Sequence, residues 1–223
     1  MNQSQCYDLR FPKATTHLIV GVSGAGKTMR TLNILRMKNE LIVDGDSIQN
    51  VIFCYSAWQP IYEEAKSYVT KWINEMPTNE EFISMVKPYQ TLGGSIVVLD
   101  DFLGAINKDM MEMVCVTARH YNVSLFILFQ TLFPKDKCAS TITRNVKFMH
   151  LHKNPRDNSQ FRYLASQLAP SNFQWMVSAF HEATKEPFSC FLLDLTQKCP
   201  DMLRYRSHYL PEEAPMRVWK QAR

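Results

Sequence analysis

The stretch Gly21-Val22-Ser23-Gly24-Ala25-Gly26-Lys27-Thr28 satisfies the pattern G-x-x-x-x-G-K-[ST] at every position, and no other feature of the chain restricts its fold as much. Such a loop curls because its glycines allow it, and successive backbone N–H groups then point at one anion. The geometry requires a buried strand before the loop and a helix after it. Both are legible. "THLIVG" (16–21) is a short apolar run ending in glycine, and residues 27–38 read as a helix with Met29, Leu32 and Leu35 along one side. On this reading Gly21, Val22, Ser23, Gly24, Ala25, Gly26, Lys27 and Thr28 hold a nucleotide. Lys27 reaches the β- and γ-phosphates, and the Thr28 hydroxyl helps to hold magnesium.

The rest of the chain alternates apolar strands with helices. "VIFCYS" (51–56) reads as a second strand; Trp58, Ile61, Tyr62, Ala65, Val69, Trp72 and Ile73 then follow at helical spacing up to Pro77. Thr78 and Glu81 make a capping box for a shorter helix that ends before Pro88. "SIVVLD" (95–100) follows the Gly93-Gly94 turn as a third strand. Asn107 caps a helix running to about Tyr121, with Met110, Met111, Val114 and Ala118 inward. "SLFILFQ" (124–130), "VKFMHLH" (146–152) and "FSCFLLDL" (188–195) supply further strands, the last two separated by helices at roughly 158–168 and 171–184. Continuous apolar strands between helices indicate a mostly parallel sheet covered on both faces. The expected fold is therefore three-layer α/β, of P-loop NTPase type. No repeat or Gly/Ser linker divides the chain. A single domain spanning 1–223 is expected, with a core at about 14–155 and the segment 156–223 packed on the same domain.

"IVVLDD" delivers two carboxylates to the end of a buried strand, where a sheet presents side chains to a ligand crevice. One carboxylate there serves the metal; a second can orient and polarise an attacking water. Asp100 is assigned to the metal and Asp101 to the water. Gln130 stands at the tip of the next strand, placed to sense a γ-phosphate or position water. The strand lying between the loop and the acid pair in this reading marks the additional-strand ATPases. ATP hydrolysis coupled to movement is the favoured chemistry. No guanine signature of the N/T-K-x-D kind is present, since "HKNPRD" (152–157) has neither that order nor that spacing, and no compact arginine-rich kinase lid is visible.

Composition narrows the setting. The 223 residues carry a net charge of +4, which permits a nucleic-acid partner without requiring one. The six cysteines form no CxxC pair and several sit in apolar runs, so buried free thiols in a reducing compartment are expected. The polar N-terminus "MNQSQCYDLRFPK" is no signal peptide, and runs such as "LFILF" fall short of the ~20 residues of a membrane span. His150 and His152 alternate on one strand with no convergent third ligand, and are read as non-ligands.

Taken together, "GVSGAGKT", "VIFCYSAWQPIYEEA", "IVVLDD", "ARHYNVSLFILFQT", "TRNVKFMHLHK" and the tail "FLLDL…LRYRSHYLPEE" resemble the FtsK–HerA superfamily of RecA-like DNA pumps. Within it, the chain looks like the genome-packaging ATPases of poxviruses, giant viruses and Maverick/Polinton-type elements. The resemblance runs along nearly the whole chain. One departure is Asp-Asp at the acid pair, where many members carry Asp-Glu, so Asp101 needs a closer water.

The resemblance implies an ATP- and magnesium-dependent motor that packages double-stranded viral DNA into a preformed capsid. It implies a ring of identical subunits, a hexamer, meeting capsid-vertex or portal-like proteins without membrane insertion. The setting would be the infected host cell, in cytoplasm or nucleus, with a transient association with the virion. Such pumps complete each site with an arginine from the neighbouring subunit; Arg144 and Arg119 are the two candidates, with Arg144 ahead. Lys135 and Lys137 would face DNA phosphates, with Arg204 and Arg206 as weaker candidates. A related translocase in conjugation or segregation, a nucleotide-gated virion assembly factor and a small-molecule phosphotransferase are the alternatives, in that order.

Overall fold

The computed structural model describes residues 7–102, 107–213 and 215–220. Among the described residues nine strands form one sheet in the order β3-β2-β4-β5-β1-β6-β7-β8-β9. The strands are β1 (Thr16–Val20), β2 (Asn50–Tyr55), β3 (Lys71–Ile73), β4 (Ser95–Asp100), β5 (Val123–Phe129), β6 (Phe148–His152), β7 (Cys190–Asp194), β8 (Tyr205–Ser207) and β9 (Arg217–Trp219). The run from β3 to β6 is parallel; β7, β8 and β9 continue it antiparallel. A strand does separate β1 from β4, as expected of the additional-strand type, but it is β5; the strand that lies between the loop and the acid pair in sequence, β2, stands on the far side of β4.

The central strands are buried on both faces. In β5, Leu125, Ile127 and Phe129 pack with the helices α3 (Asn79–Val86), α4 (Lys108–Glu112), α5 (Ala118–His120), α6 (Lys137–Asn145), α7 (Ser159–Leu168) and α8 (Phe173–Ala183). Phe126 and Leu128 pack with α1 (Lys27–Arg36) and α2 (Lys38–Leu41) on the opposite face. This explains why β5 reads as continuous apolar sequence rather than alternation. Three layers result. Thr78 and Glu81 make both halves of the expected capping box on α3, and Asn107 caps α4 by accepting from the Met110 N–H. Between α4 and α5 the helix loosens into one π-helical stretch, Met113–Thr117.

Several expectations need correction. The helix read over Trp58–Ile73 is instead a 3₁₀ segment, Pro60–Ala65, followed by β3. Thr70 exchanges hydrogen bonds with the backbone of Val51, which draws the chain into the sheet and stops a helix. The apolar spacing that mimics a helix reflects one aromatic cluster: Phe53, Tyr55, Trp58, Tyr62 and Trp72, with ring centroids 5.0–6.2 Å apart. Met29 is 39% exposed, and Ile34 takes its place on the buried side of α1. The last long strand begins at Cys190 rather than at position 188.

Beneath the sheet, on the α1 face, runs a buried polar chain. The Thr15 hydroxyl donates to the Pro12 carbonyl at 2.7 Å, so at 3.0 Å it accepts from His17 Nε2. His17 Nδ1 then accepts from His150 Nε2 at 3.1 Å, and His150 Nδ1 accepts from the Tyr209 hydroxyl at 2.6 Å. Each bond fixes the tautomer of the next. His150 thus ties β1 to the C-terminal segment. Of the six cysteines, Cys54, Cys190 and Cys199 are buried, Cys115 and Cys138 are half-buried, and all five are free; Cys6 lies outside the described residues.

Candidate active site

Parallel register brings the tips of β1, β4 and β5 to one edge of the sheet. Val20 pairs with Phe129, and Asp100 with Leu128, so Gly21, Asp101 and Gln130 emerge side by side. The Gly21 N–H donates to the Phe129 carbonyl at 3.2 Å, tying the loop to β5. Within the loop the Ala25 N–H donates to Val22 O at 3.1 Å, and Ser23 and Gly24 stand exposed at its crest.

Two of its glycines are required by what surrounds them. At Gly21 an added Cβ would meet the Cβ atoms of Ala25 and His152, each at 2.9 Å. Gly26, the residue before α1, has φ 96°, a left-handed conformation that side chains oppose. Lys27 starts α1 and folds back, its Nζ donating to Val22 O at 3.2 Å. Burial lowers the Lys27 pKa, opposed by the carboxylates of Asp100 and Asp101.

Thr28 and Asp100 meet, the threonine hydroxyl donating to Oδ2 at 3.0 Å. The same oxygen accepts from the Tyr62 hydroxyl at 2.9 Å. Burial raises the Asp100 pKa, while these two hydrogen bonds and Lys27 pull it back. A hard hydroxyl oxygen and a hard carboxylate oxygen within one hydrogen bond of each other fit magnesium, which takes one or two protein oxygens and otherwise water and phosphate. Asp101 follows in the left-handed region, at φ 62°, and is exposed. That turn breaks the strand's alternation, so its carboxylate stays on the crevice side and accepts from Gln130 Nε2 at 3.0 Å.

Lys27, Thr28, Asp100, Asp101 and Gln130 are therefore brought together. Arg144 and Arg119 are not part of this cluster: Arg144 is exposed in the last turn of α6, and Arg119 is exposed in α5. Lys135 and Lys137 are exposed in the segment from β5 into α6.

Arg206 is not a surface residue as the sequence reading had it. It is 1% exposed, pairs with the equally buried Asp194 at 2.8 Å, and donates to Leu9 O. Arg204 likewise spends its guanidinium on the carbonyls of Asp194, Thr196 and Cys199. Arg206 is thereby closed to a DNA phosphate, whereas the Arg204 side chain keeps 20% of its surface exposed. His152 is buried behind Gly21, and burial lowers its pKa to about 3. Tyr62 was missed as a site residue because the aromatic run around it read as a helix; the signal was an aromatic carrying a hydroxyl in the segment just beyond β2.

No family model matches the sequence, and no curated protein sequence does. Among solved structures, the genome packaging NTPase B204 from Sulfolobus turreted icosahedral virus 2, in complex with AMPPCP, superposes with a TM-score of 0.57 at 11% identity over 93% of this chain and 98% of that one. B204 from Sulfolobus turreted icosahedral virus, described as a DNA-packaging ATPase, gives 0.55 at 10% identity over 94% and 98%. The complex of the former protein with AMP gives 0.53 at 12% identity over 93% and 98%. At such identities the likeness concerns the backbone: over the 93–94% of its length that is covered, this chain has the α/β fold of those P-loop NTPases.

Proposed function

We propose that the chain is an ATP-hydrolysing motor that drives double-stranded viral DNA into a preformed capsid, acting in the infected cell as a ring of identical subunits, a hexamer. The observation that carries the hydrolytic part is the pair of contacts Thr28–Asp100 and Gln130–Asp101 standing beside one phosphate cradle. The packaging part draws on the resemblance to the packaging branch of the FtsK–HerA superfamily and on the likeness in fold to B204 over 93–94% of this chain.

In this mechanism the loop amides and Lys27 bind and orient the phosphates. Thr28 and Asp100 would hold magnesium, which neutralises phosphate charge when bound. Asp101 accepts a hydrogen bond from the attacking water and turns it toward the γ-phosphorus; Gln130 holds that carboxylate in line. Arg144 of the neighbouring subunit, or failing it Arg119, stabilises charge on the transferred group, an effect worth about 10³–10⁵ in rate. Lys135 and Lys137 carry the movement to DNA phosphates.

Phosphate release measured with and without duplex DNA tests the reading. Turnover should rise with DNA and the stimulation should fade at high salt, because phosphate contacts release counterions. Lys27→Ala should abolish nucleotide binding, and Asp101→Asn should bind ATP while losing nearly all of its hydrolysis. Turnover indifferent to DNA at low salt removes the translocase reading. A protein that binds ATP but releases no phosphate is an assembly factor instead.

A further inference from the structure

The hydrolytic groups all stand on one side of the P-loop strand. Asp100 ends β4, Asp101 follows it and Gln130 follows β5, whereas β6 and β7 lie on the other side of β1. A triphosphate whose γ end faces Gln130 therefore directs its nucleoside toward β6 and β7. Because β7 runs antiparallel, its beginning reaches the P-loop edge: Cys190 pairs with His152, and Phe188 lies two residues beyond.

Phe188 is an unusual residue for such a place. Its φ is 62°, which an aromatic seldom adopts, and its side chain is 54% exposed. It is nevertheless held on the cradle. The buried Arg30 of α1 donates to its carbonyl at 3.3 Å and is itself paired with Glu213 at 2.6 Å. A Cβ added at Gly26 would come within 3.2 Å of both Phe188 Cβ and Cδ1. The ring forms part of the wall of two clefts, of about 270 Å³ beside Met29 and Asn33 and about 440 Å³ beside Ser23, Gly24 and Lys153. Backbone strain and exposed aromatic surface are both unfavourable in the free protein, and a flat ligand laid on the ring covers that surface.

We propose that Phe188 is the platform on which the purine base of the bound nucleotide stacks, and that it recognises the base by its face, accepting adenine and guanine nucleotides alike. The inference rests on the cradle binding a nucleoside triphosphate. Every base has a π-face, so stacking tolerates a change of base. The neighbouring Pro155 and Pro187 have no N–H to read a base edge, Lys153, Lys185 and Glu186 are solvent-exposed, and Asn33, the one amide side chain in the lining of the two clefts, already accepts from Arg36 at 3.3 Å.

Calorimetric Kd values for ATP, GTP and inorganic tripolyphosphate, each with magnesium, test it on the full chain. Phe188→Ala should weaken ATP and GTP by about tenfold each and leave tripolyphosphate unchanged, while Phe188→Tyr should stay within about twofold of the parent for all three. Unchanged tripolyphosphate binding also reports that the cradle is still folded. The inference is overturned if Phe188→Ala leaves ATP binding intact, weakens ATP but not GTP, or weakens tripolyphosphate as much as ATP. A parent protein that binds neither ATP nor tripolyphosphate removes the cradle reading itself. One that binds tripolyphosphate as tightly as ATP removes only the role of Phe188.

Discussion

The Tyr62 hydroxyl and the Asp100 carboxylate share a buried hydrogen bond of 2.9 Å, made to the oxygen that also accepts from Thr28. Tyr62 is fully buried, so Phe fills its space and only the hydroxyl is lost. The bond steadies Asp100 in the orientation that faces Thr28. Tyr62→Phe should raise the magnesium concentration needed for half-maximal turnover about tenfold, with unfolding midpoint and near-UV circular dichroism close to the parent's. Unchanged magnesium dependence would mean that Asp100 needs no such support.

Gln130 and Asp101 form one unit. Gln130→Ala should lower kcat by about 10²-fold while leaving the Kd for ATP unchanged, since the glutamine touches the acid rather than the cradle. Combining it with Asp101→Asn should add little to the larger single effect, because residues acting through one contact are non-additive. Full additivity of the two losses argues for separate roles.

Arg206 and Asp194 are each 1% exposed. Breaking a buried ion pair from one side leaves a charge without compensation, so Arg206→Ala should destabilise the fold by about 3–5 kcal/mol. Arg206→Met with Asp194→Leu should recover most of that loss, read as the urea midpoint. At temperatures where the single variant remains folded, the salt dependence of DNA-stimulated turnover should not change. A reduced salt slope would return Arg206 to the DNA surface.

Burial lowers the pKa of His17 and of His152 to about 3, and of His150 well below its ordinary value. Around His150 the charged and titratable neighbours are His17, Arg30, His152 and Arg206, all acting in the same direction. The unfolded chain takes up these protons near pH 6.5 and the folded one does not, so stability is complete above that pH and declines as pH falls toward 3. At pH 5 holding His17 and His152 neutral costs about 2 kcal/mol each, and His150 acts in the same direction. Urea midpoints measured from pH 7 to 5 should fall steeply, and His152→Asn should flatten the slope. A pH-independent midpoint contradicts the neutral chain.

The parts of the site fixed by backbone motifs were legible in the sequence. The loop at 21–28, the acid pair and Gln130 are each set by a short local pattern at a strand end, and parallel register does the rest. Tyr62 was hidden because apolar residues at helical spacing can equally arise from a 3₁₀ segment followed by an edge strand, with Tyr62 and Trp72 in an aromatic cluster on one face of the sheet and Ile73 packed on the other. Phe188 was hidden by a run of apolar neighbours that reads as strand, although its own φ of 62° excludes it. Arg206 looked like surface because its counter-charge, Asp194, lies on the neighbouring strand, twelve positions away.

The backbone at Asp101 gives the acid pair a further meaning. A φ of 62° is tolerated by aspartate and asparagine far better than by longer side chains, since the short carboxylate can bond to its own surroundings. The second aspartate of the acid pair and the left-handed turn are then one trait seen at two levels. Where the chain bends sharply enough to bring the second carboxylate to Gln130, the side chain has less distance to cover. Reach has been moved from the side chain into the main chain.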